Sequence, residues 1–360
     1  MTESTSGIKP ESVLLYCRPG FEKECAADII EQAGLLGVYG YVKADEGSGF
    51  ARFMPQGDSA CEQLRQNLRF GDLMFARQLV YLFGSDQDLP PEDRLTPLME
   101  IVRESGLRFS ELFLETADTN EAKSLSVFLR KFATPLRRAL EHEQLLGNRH
   151  LPRLHVFFLS ATSVSVGLSN VTDASPWLMG IPRLKFPRGA PSRSTLKLDE
   201  AFQVFVQQPD QDLRPGMTAV DLGAAPGGWT WQLVHRHIRT IAVDNGALDA
   251  VLLDSGIVEH LRVDGFRFRP VRPVDWLVCD MVEQPSRIAA LIGDWLAQRH
   301  CKYAIFNLKL PMKKRYETVQ LCREMIESRL IQANRHYTLE FRQLYHDRAE
   351  ITGYVVCLDG

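Results

Sequence analysis

Residues 221–230 read Asp221-Leu222-Gly223-Ala224-Ala225-Pro226-Gly227-Gly228-Trp229-Thr230. The run 218–220 (Thr-Ala-Val) leads into this stretch and helix-like sequence follows over 229–237, so it predicts a strand, a tight turn and a helix start. Glycines in the turn let the backbone approach a ligand closely, and the helix N-terminus offers N–H groups without intrahelical partners. A carboxylate, Asp244, closes the next apolar run, 240–244. That is where α/β nucleotide-binding folds grip a ribose. The turn therefore reads either as a nucleotide-type cofactor site or as a tight turn with no ligand.

Outward from the turn the pattern is regular. A helix over 195–205 precedes the strand that ends at Asp221. Helix 229–237, strand 240–244, helix 247–255 and strand 258–264 follow. Next come strand 276–280, helix 286–299, strand 303–308 and a long helix, 315–331. Two strands, 338–344 and 351–358, end the chain with no helix between them. Alternation of this kind predicts an α/β doubly wound parallel sheet, here with an antiparallel final strand.

Before residue 172 the rhythm is α+β. Strands are expected at 12–17, 38–42 and 50–54, with helices at 21–33, stopped by Gly34, and at 61–68. Pro90-Pro91-Glu92 interrupts. Helices 97–105 and 120–141, the latter broken near Pro135, then alternate with strand 110–116 and a hairpin, 154–159 with 163–168. Arg130, Lys131, Arg137 and Arg138 form either a solvated face or an RNA-backbone contact. Residues 172–193 are rich in proline and basic side chains (Arg183, Lys185, Arg188, Arg193), which suits an extended connector. The expected division is 1–85, 86–171, a connector 172–193, and 194–360.

The 360 residues are 45% hydrophobic and 24% charged, ordinary for a chain that buries sizeable cores, and the net charge of −3 does not by itself advertise a nucleic-acid partner. No apolar run reaches the roughly 18 residues of a membrane span. Residues 1–10 are polar and lack a signal core, so a cytoplasmic location is expected. Seven cysteines are scattered without Cys-x-x-Cys or zinc-ligand spacing, so they read as reduced, mostly buried thiols, and no metal is expected.

The turn lacks the G-x-G-x-x-G spacing of a dinucleotide site. Asp221 would repel a pyrophosphate but suits an ammonium or amide. S-adenosyl-L-methionine carries an amino acid and a sulfonium and no phosphate, so an acidic pocket fits it. Asp244 is expected to accept from both ribose hydroxyls, and Asp264, at the end of the next strand, from the adenine amino group.

Asp280 and Lys309 fall at the same sheet edge, Lys197 lies on the helix before the first strand, and Glu350 begins the last strand. Two lysines and two carboxylates beside a methyl donor suit alkylation of a hydroxyl. As general base Lys309 would need its pKa lowered from about 10.4 to about 7–8, roughly 4 kcal/mol. Lys197 would supply the second charge, with Asp280 and Glu350 orienting the pair. The four could also be ordinary surface ion pairs. Other methylations fit less well: Cys279-Asp280-Met281-Val282-Glu283 is no polar-Pro-Pro-aromatic turn, and Cys279, in no Pro-Cys or Thr-Cys turn, reads as a core thiol. Lys313, Lys314 and Arg315, with the connector's basic residues, are candidates for a phosphate-binding rim.

These residues resemble the FtsJ-type 2′-O-ribose methyltransferases, whose Lys-Asp-Lys-Glu tetrad falls on Lys197, Asp280, Lys309 and Glu350. Five further stretches are similar to the bacterial 23S rRNA (cytidine-2′-O)-ribose methyltransferase M family. They are Cys17 through Cys25 (Cys-Arg-Pro-Gly-Phe-Glu-Lys-Glu-Cys), Pro90-Pro91-Glu92-Asp93-Arg94, Ala117-Asp118-Thr119-Asn120-Glu121, Met179 through Pro187 (Met-Gly-Ile-Pro-Arg-Leu-Lys-Phe-Pro) and Asn307 through Tyr316 (Asn-Leu-Lys-Leu-Pro-Met-Lys-Lys-Arg-Tyr). The resemblance implies a Rossmann-like S-adenosylmethionine methyltransferase domain preceded by an α+β ferredoxin-like/THUMP region that binds RNA. It also implies 23S rRNA as substrate, free or in early assembly intermediates, and no protein partner. Cofactor contacts are expected at Ser192, Asp221, Gly223, Ala225, Pro226, Gly227, Gly228, Trp229, Asp244, Asp264 and Asp280. Ala225 stands where the family often has cysteine, a change a backbone contact tolerates. Two other classes compete: a non-catalytic rRNA-binding assembly factor that retains the cofactor fold, and an NAD-dependent oxidoreductase.

Overall fold

The computed structural model describes residues 9–358, so most of the polar N-terminal stretch read above, residues 1–8, lies outside the described residues. The chain forms two compact units, one up to Pro182 and one from Arg183. The break falls inside the 172–193 segment.

The first unit contains β1 (Ser12–Tyr16), α1 (Glu22–Leu35), β2 (Gly40–Lys43), β3 (Phe50–Pro55), α2 (Ala60–Asn67), β4 (Gln78–Asp88), α3 (Leu95–Glu104), β5 (Leu112–Thr116), α4 (Ser126–His142), β6 (Arg153–Phe158) and β7 (Ser163–Ser169). In α1, Cys25, Ile29 and Ala33 recur every fourth residue and are buried. The helix runs through Gly34, contrary to expectation. It closes at Gly37, whose φ of 72° lets Val38 N–H reach back to Ala33 O at 2.9 Å. Pro135 lies inside α4 without ending it, on the exposed face, while Leu129, Leu136 and Leu140 are buried.

The seven strands make one sheet in the order β2-β3-β1-β4-β7-β6-β5. Its central member, β4, was not expected. It pairs with β1 on one side and β7 on the other, so the expected 85/86 boundary falls within a single strand. Beyond β7 the chain has no strand or helix longer than one turn until residue 195, yet its first part is held down. Ser175 exchanges bonds of 3.1 and 3.0 Å with the Gln78 side chain, and Met179 N–H donates to Glu115. Glu115 also accepts from Tyr16 and bonds His155, which bonds Ser169 at 2.8 Å. That Ser-His-Glu arrangement is sealed from substrate, since both Ser169 and His155 are 0% exposed. It serves to satisfy buried polar groups.

The second unit runs α5 (Thr195–Phe205), α6 (Pro209–Asp212), β8 (Thr218–Leu222), α7 (Gly228–Val234), β9 (Arg239–Val243), α8 (Ala250–Leu253), β10 (Val258–Leu261), β11 (Val274–Cys279), α9 (Pro285–Ala297), β12 (Cys301–Lys309), α10 (Arg315–Gln332), β13 (Tyr337–Arg342) and β14 (Glu350–Cys357). The sheet order is β10-β9-β8-β11-β12-β14-β13. β14 is antiparallel to both neighbours, as expected from the missing helix between the last two strands. Strand order reverses between β8 and β11, which makes their carboxyl ends the switch point where open α/β sheets bind ligands. Phe202, Phe205, Trp229, Trp276, Tyr303 and Tyr354 dominate the core on one side of this sheet. Several elements are shorter than expected, α7 and β13 by a residue or two and two others by more. β10 ends at Leu261 rather than 264, and the helix after β9 is a single turn capped by Asp249, whose carboxylate accepts from Val251 N–H at 3.0 Å.

Among the described residues no helix is long and apolar enough to cross a membrane, and no group of histidine, cysteine, aspartate or glutamate is arranged to hold a metal ion. All seven cysteines are free and buried.

Candidate active site

The quoted turn links β8 to α7. Gly223 has φ 81° and Gly227 φ 118°, both left-handed. A Cβ on Gly227 would stand 2.1 Å from Leu252 Cδ1, and one on Gly228 would stand 2.1 Å from Ser194 Oγ and 2.6 Å from Ser192 Oγ. The end of the connector therefore lies directly on the turn, and that is how Ser192 comes to the site. Ser192 and Ser194 share a hydroxyl–hydroxyl bond of 2.5 Å.

Asp221 is fully buried one residue before the end of β8, and its Oδ2 accepts from Thr230 at 2.6 Å. Burial pushes its carboxyl up to about 7, against the downward pull of the Thr230 bond. Its other oxygen, Oδ1, is buried with no donor among the described residues. Asp244 follows β9 and accepts from Ala225 N–H at 3.0 Å and Gly246 N–H at 2.7 Å, one per oxygen. It folds two loops together while each oxygen keeps acceptor capacity. Asp264 is not at a strand end. It lies three residues beyond β10 in an exposed loop, capping Phe266 N–H at 2.9 Å. Trp229 points away from the turn's open side into the core and is 3% exposed.

These residues fit S-adenosyl-L-methionine. Asp221, Asp244 and Asp280 stand at the carboxyl ends of three strands in one sheet, an acceptor set hostile to pyrophosphate. The donorless Asp221 Oδ1 is what an amino-acid ammonium would satisfy. A cavity of about 780 Å³ lies at the opposite, amino-terminal edge of the same sheet, lined by Arg239, Thr240, Val258 and Val274 among others. It holds no comparable cluster of acids and lysines, so the chemistry selects the carboxyl edge.

The four expected charged residues meet. Lys197 comes from α5, Asp280 directly follows β11, Lys309 ends β12 and Glu350 begins β14. Lys197 Nζ is 2.6 Å from Glu350 Oε2 and 3.4 Å from Asp280 Oδ2. Lys309 Nζ is 2.6 Å from Glu350 Oε1 and 3.4 Å from Asp280 Oδ1. Each ammonium thus bridges both carboxylates. Burial disfavours the Lys197 ammonium, but Asp280 and Glu350 outweigh it and hold its pKa above the ordinary value. Burial likewise raises the Glu350 carboxyl, and the bonds and charges of Lys197 and Lys309 outweigh that and hold it low. Lys309 is the more open of the two lysines, with 25% of its side chain exposed against 14% for Lys197.

Sequence reasoning missed the residues beneath this square. Asn307, fully buried, donates to Asp280 Oδ1 and Glu350 Oε2, each at 3.1 Å. Thr352 and buried Asp347 lie behind it. Thr230 was missed as well. Its signal was present, since a hydroxyl in the first turn of a helix can reach back to an acid near the end of the preceding strand. Cys279 is a core thiol, as read: it is 0% exposed and burial pushes its pKa up to about 12.

The chain is similar to known proteins along nearly its whole length. Residues 11–80 match the RlmM ferredoxin-like domain, residues 93–170 the N-terminal part of Ribosomal RNA large subunit methyltransferase M, and residues 190–338 the FtsJ-like methyltransferase family. The Ribosomal RNA large subunit methyltransferase M of Methylococcus capsulatus is 58% identical over 346 residues, covering 96% of this chain and 98% of that protein. Its namesake in Cellvibrio japonicus is 50% identical over 95% of this chain and 98% of its own length. The Proteus mirabilis namesake is 48% identical over 95% and 96%.

Proposed function

Because this chain belongs to the ribosomal RNA large subunit methyltransferase M family, we propose that it methylates the ribose 2′-hydroxyl of a cytidine in 23S rRNA, using S-adenosyl-L-methionine. The observation that carries this reading is the square of Lys197, Asp280, Lys309 and Glu350 beside the glycine turn. When bound, S-adenosyl-L-methionine supplies an electrophilic methyl group on a sulfonium. The turn 225–228, Asp221, Asp244 and Ser192 would hold it, with Asp264 reaching in from its loop.

Lys309, the more accessible lysine, acts as general base: having first released its own proton to solvent, its free amine takes the proton from the 2′-hydroxyl. Lys197, kept charged by its carboxylates, supplies fixed positive charge beside the oxygen as it becomes anionic. Asp280 and Glu350 orient both lysines, and this placement supplies the proximity that a weakly acidic hydroxyl requires. Lys313 and Lys314, exposed on the loop after β12, and Lys185, Arg188 and Arg193 on the connector would meet RNA phosphates. The ferredoxin-like part and the THUMP-like RNA-binding part share the sheet of the first unit, their expected 85/86 boundary falling inside β4, and the catalytic domain, 194–360, follows the connector 172–193. The protein acts in the cytoplasm as a monomer on 23S rRNA, free or in early assembly intermediates. A non-catalytic assembly factor would have no use for a charge-balanced square at the switch point.

Transfer of labelled methyl groups to unmodified 23S rRNA tests the reading. Lys309→Ala is expected to abolish transfer while calorimetric binding of S-adenosyl-L-methionine persists. Full activity in that variant would remove Lys309 from the role of base, and binding of NAD in place of S-adenosyl-L-methionine would overturn the cofactor.

A further inference from the structure

Asn307 stands two residues before Lys309 on β12, so the two side chains share a face of the strand. β12 pairs with β14 in a register that sets Asn307 opposite Thr352 and Lys309 opposite Glu350. On the other side, β11 pairs with β12 through Cys279 and Phe306, which brings Asp280 alongside Asn307. Three strands thus converge on one carboxamide. Its two N–H groups are both used, one on Asp280 Oδ1 and one on Glu350 Oε2, each at 3.1 Å.

The orientation of the carboxamide is dictated. Turned over, it would set its own oxygen against two carboxylates and leave its amine facing the Thr352 hydroxyl. As placed, Asn307 Oδ1 accepts from Thr352 Oγ1 at 2.8 Å. Thr352 Oγ1 is in turn 2.9 Å from Asp347 Oδ2, a fully buried carboxyl that burial, helped by Glu350 and Glu200, pushes up to about 8. Thr352 Oγ1 is thus placed to donate to Asn307 Oδ1 and to Asp347 Oδ2. Asn307 is 0% exposed, so its bonds are shielded from bulk solvent.

The residue type matters too. A leucine of similar size would leave two half-buried carboxylates short of donors, and a lysine would add a third positive charge against the two already present. An amide supplies donors without charge.

We propose that Asn307 is a positioning residue for methyl transfer, holding Asp280 and Glu350 aimed at the two lysines, with Thr352 fixing which end of the carboxamide faces them. This rests on the reading that the Lys-Asp-Lys-Glu square is catalytic.

Steady-state methyl transfer to 23S rRNA by the full-length protein, across pH, tests it with Asn307→Leu, Thr352→Val and Thr352→Ser. Asn307→Leu is expected to lower kcat by roughly 100-fold, the scale of a misplaced catalytic group, while the KM values for S-adenosyl-L-methionine and RNA hold within about threefold. The acidic limb of its kcat–pH profile should move upward, because carboxylates without amide donors lean harder on the ammoniums. Thr352→Val should follow it in direction, and Thr352→Ser, which keeps the hydroxyl, should recover about tenfold over Thr352→Val.

Unchanged kcat and pH limb in Asn307→Leu, with wild type active and Lys309→Ala inactive, overturns this inference alone. A wild type that transfers nothing overturns the reading beneath it. Should Asn307→Leu lose its cooperative thermal transition, the Thr352 pair decides: equal rates for valine and serine sink the proposal.

Discussion

Asp347 makes the stability of this protein depend on pH in a direction that can be worked out. Burial first, then the charges of Glu350 and Glu200, lift its carboxyl from 3.8 to about 8, against the opposing pull of Thr352 and Lys197. Between those values the folded chain holds a proton that the unfolded chain has released. Stability contributed by a raised group is fully present below its unfolded pKa and is lost as pH rises through the folded one, here by about 1.4 kcal/mol per pH unit across the window. Glu350, held low, works the other way, and its contribution is lost only on acidification. In Asp347→Asn the gap in unfolding free energy between variant and wild type should therefore widen from pH 5 to pH 8 in urea titrations; a gap that stays constant would remove the buried proton. None of this was legible in the sequence. Lys197, Asp280, Lys309 and Glu350 stand at element ends, where position alone suggests chemistry. Asn307 and Thr352 lie inside apolar strands, where a lone polar residue has no spacing to betray it, and they acquire partners only through the register of β12 with β14.

At the scale of elements, the glycine turn sets the backbone geometry where the cofactor is proposed to bind. Gly227 sits at φ 118° against Leu248 and Leu252, with a Cβ position 3.0 Å from Leu248 Cδ2 and 2.1 Å from Leu252 Cδ1. Gly227→Ala should cost about 1–3 kcal/mol in left-handed strain and weaken S-adenosyl-L-methionine binding measured by calorimetry. Gly34 provides the contrast. It is helical, and its Cβ would meet nothing within 4 Å, so Gly34→Ala should stabilise by about 0.5–1 kcal/mol. A turn without a ligand role would show the loss of stability and no change in affinity. The helix of residues 195–205 was read to its ends, because it is amphipathic and stops where Val206 turns extended. β4 was not read at all. Its first half, Leu79-Val80-Tyr81-Leu82-Phe83, carries a plain apolar signal, but its second half is Gly-Ser-Asp-Gln-Asp and pairs with β7 only through shifts of register around Gly84. β10 was read too long because Val263 looks like a strand residue, whereas the chain has already left the sheet at Leu261 and Val263 is 44% exposed.

For the whole molecule, alternation of helix and strand was enough to foresee the doubly wound sheet, because each crossover is local in sequence. The first sheet joins segments far apart in the chain through β4, and such pairing leaves no periodic trace. The result is two units, each with its own sheet and buried cluster, and every residue of the charged square and the glycine turn belongs to the one from Arg183 onward. Cofactor binding and RNA capture are therefore separable in principle. A chain of residues 183–360 should unfold cooperatively and bind S-adenosyl-L-methionine as the full-length protein does. It should transfer methyl groups to 23S rRNA at least about tenfold more slowly at limiting RNA, because the first unit, proposed above to bind RNA, would no longer raise the effective concentration of substrate at the site. The deficit should shrink as RNA is raised towards saturation, since the square itself is intact. Equal rates at limiting RNA would show that the first unit plays no part in holding the substrate, and a deficit that persists at saturation would place its contribution in the chemical step.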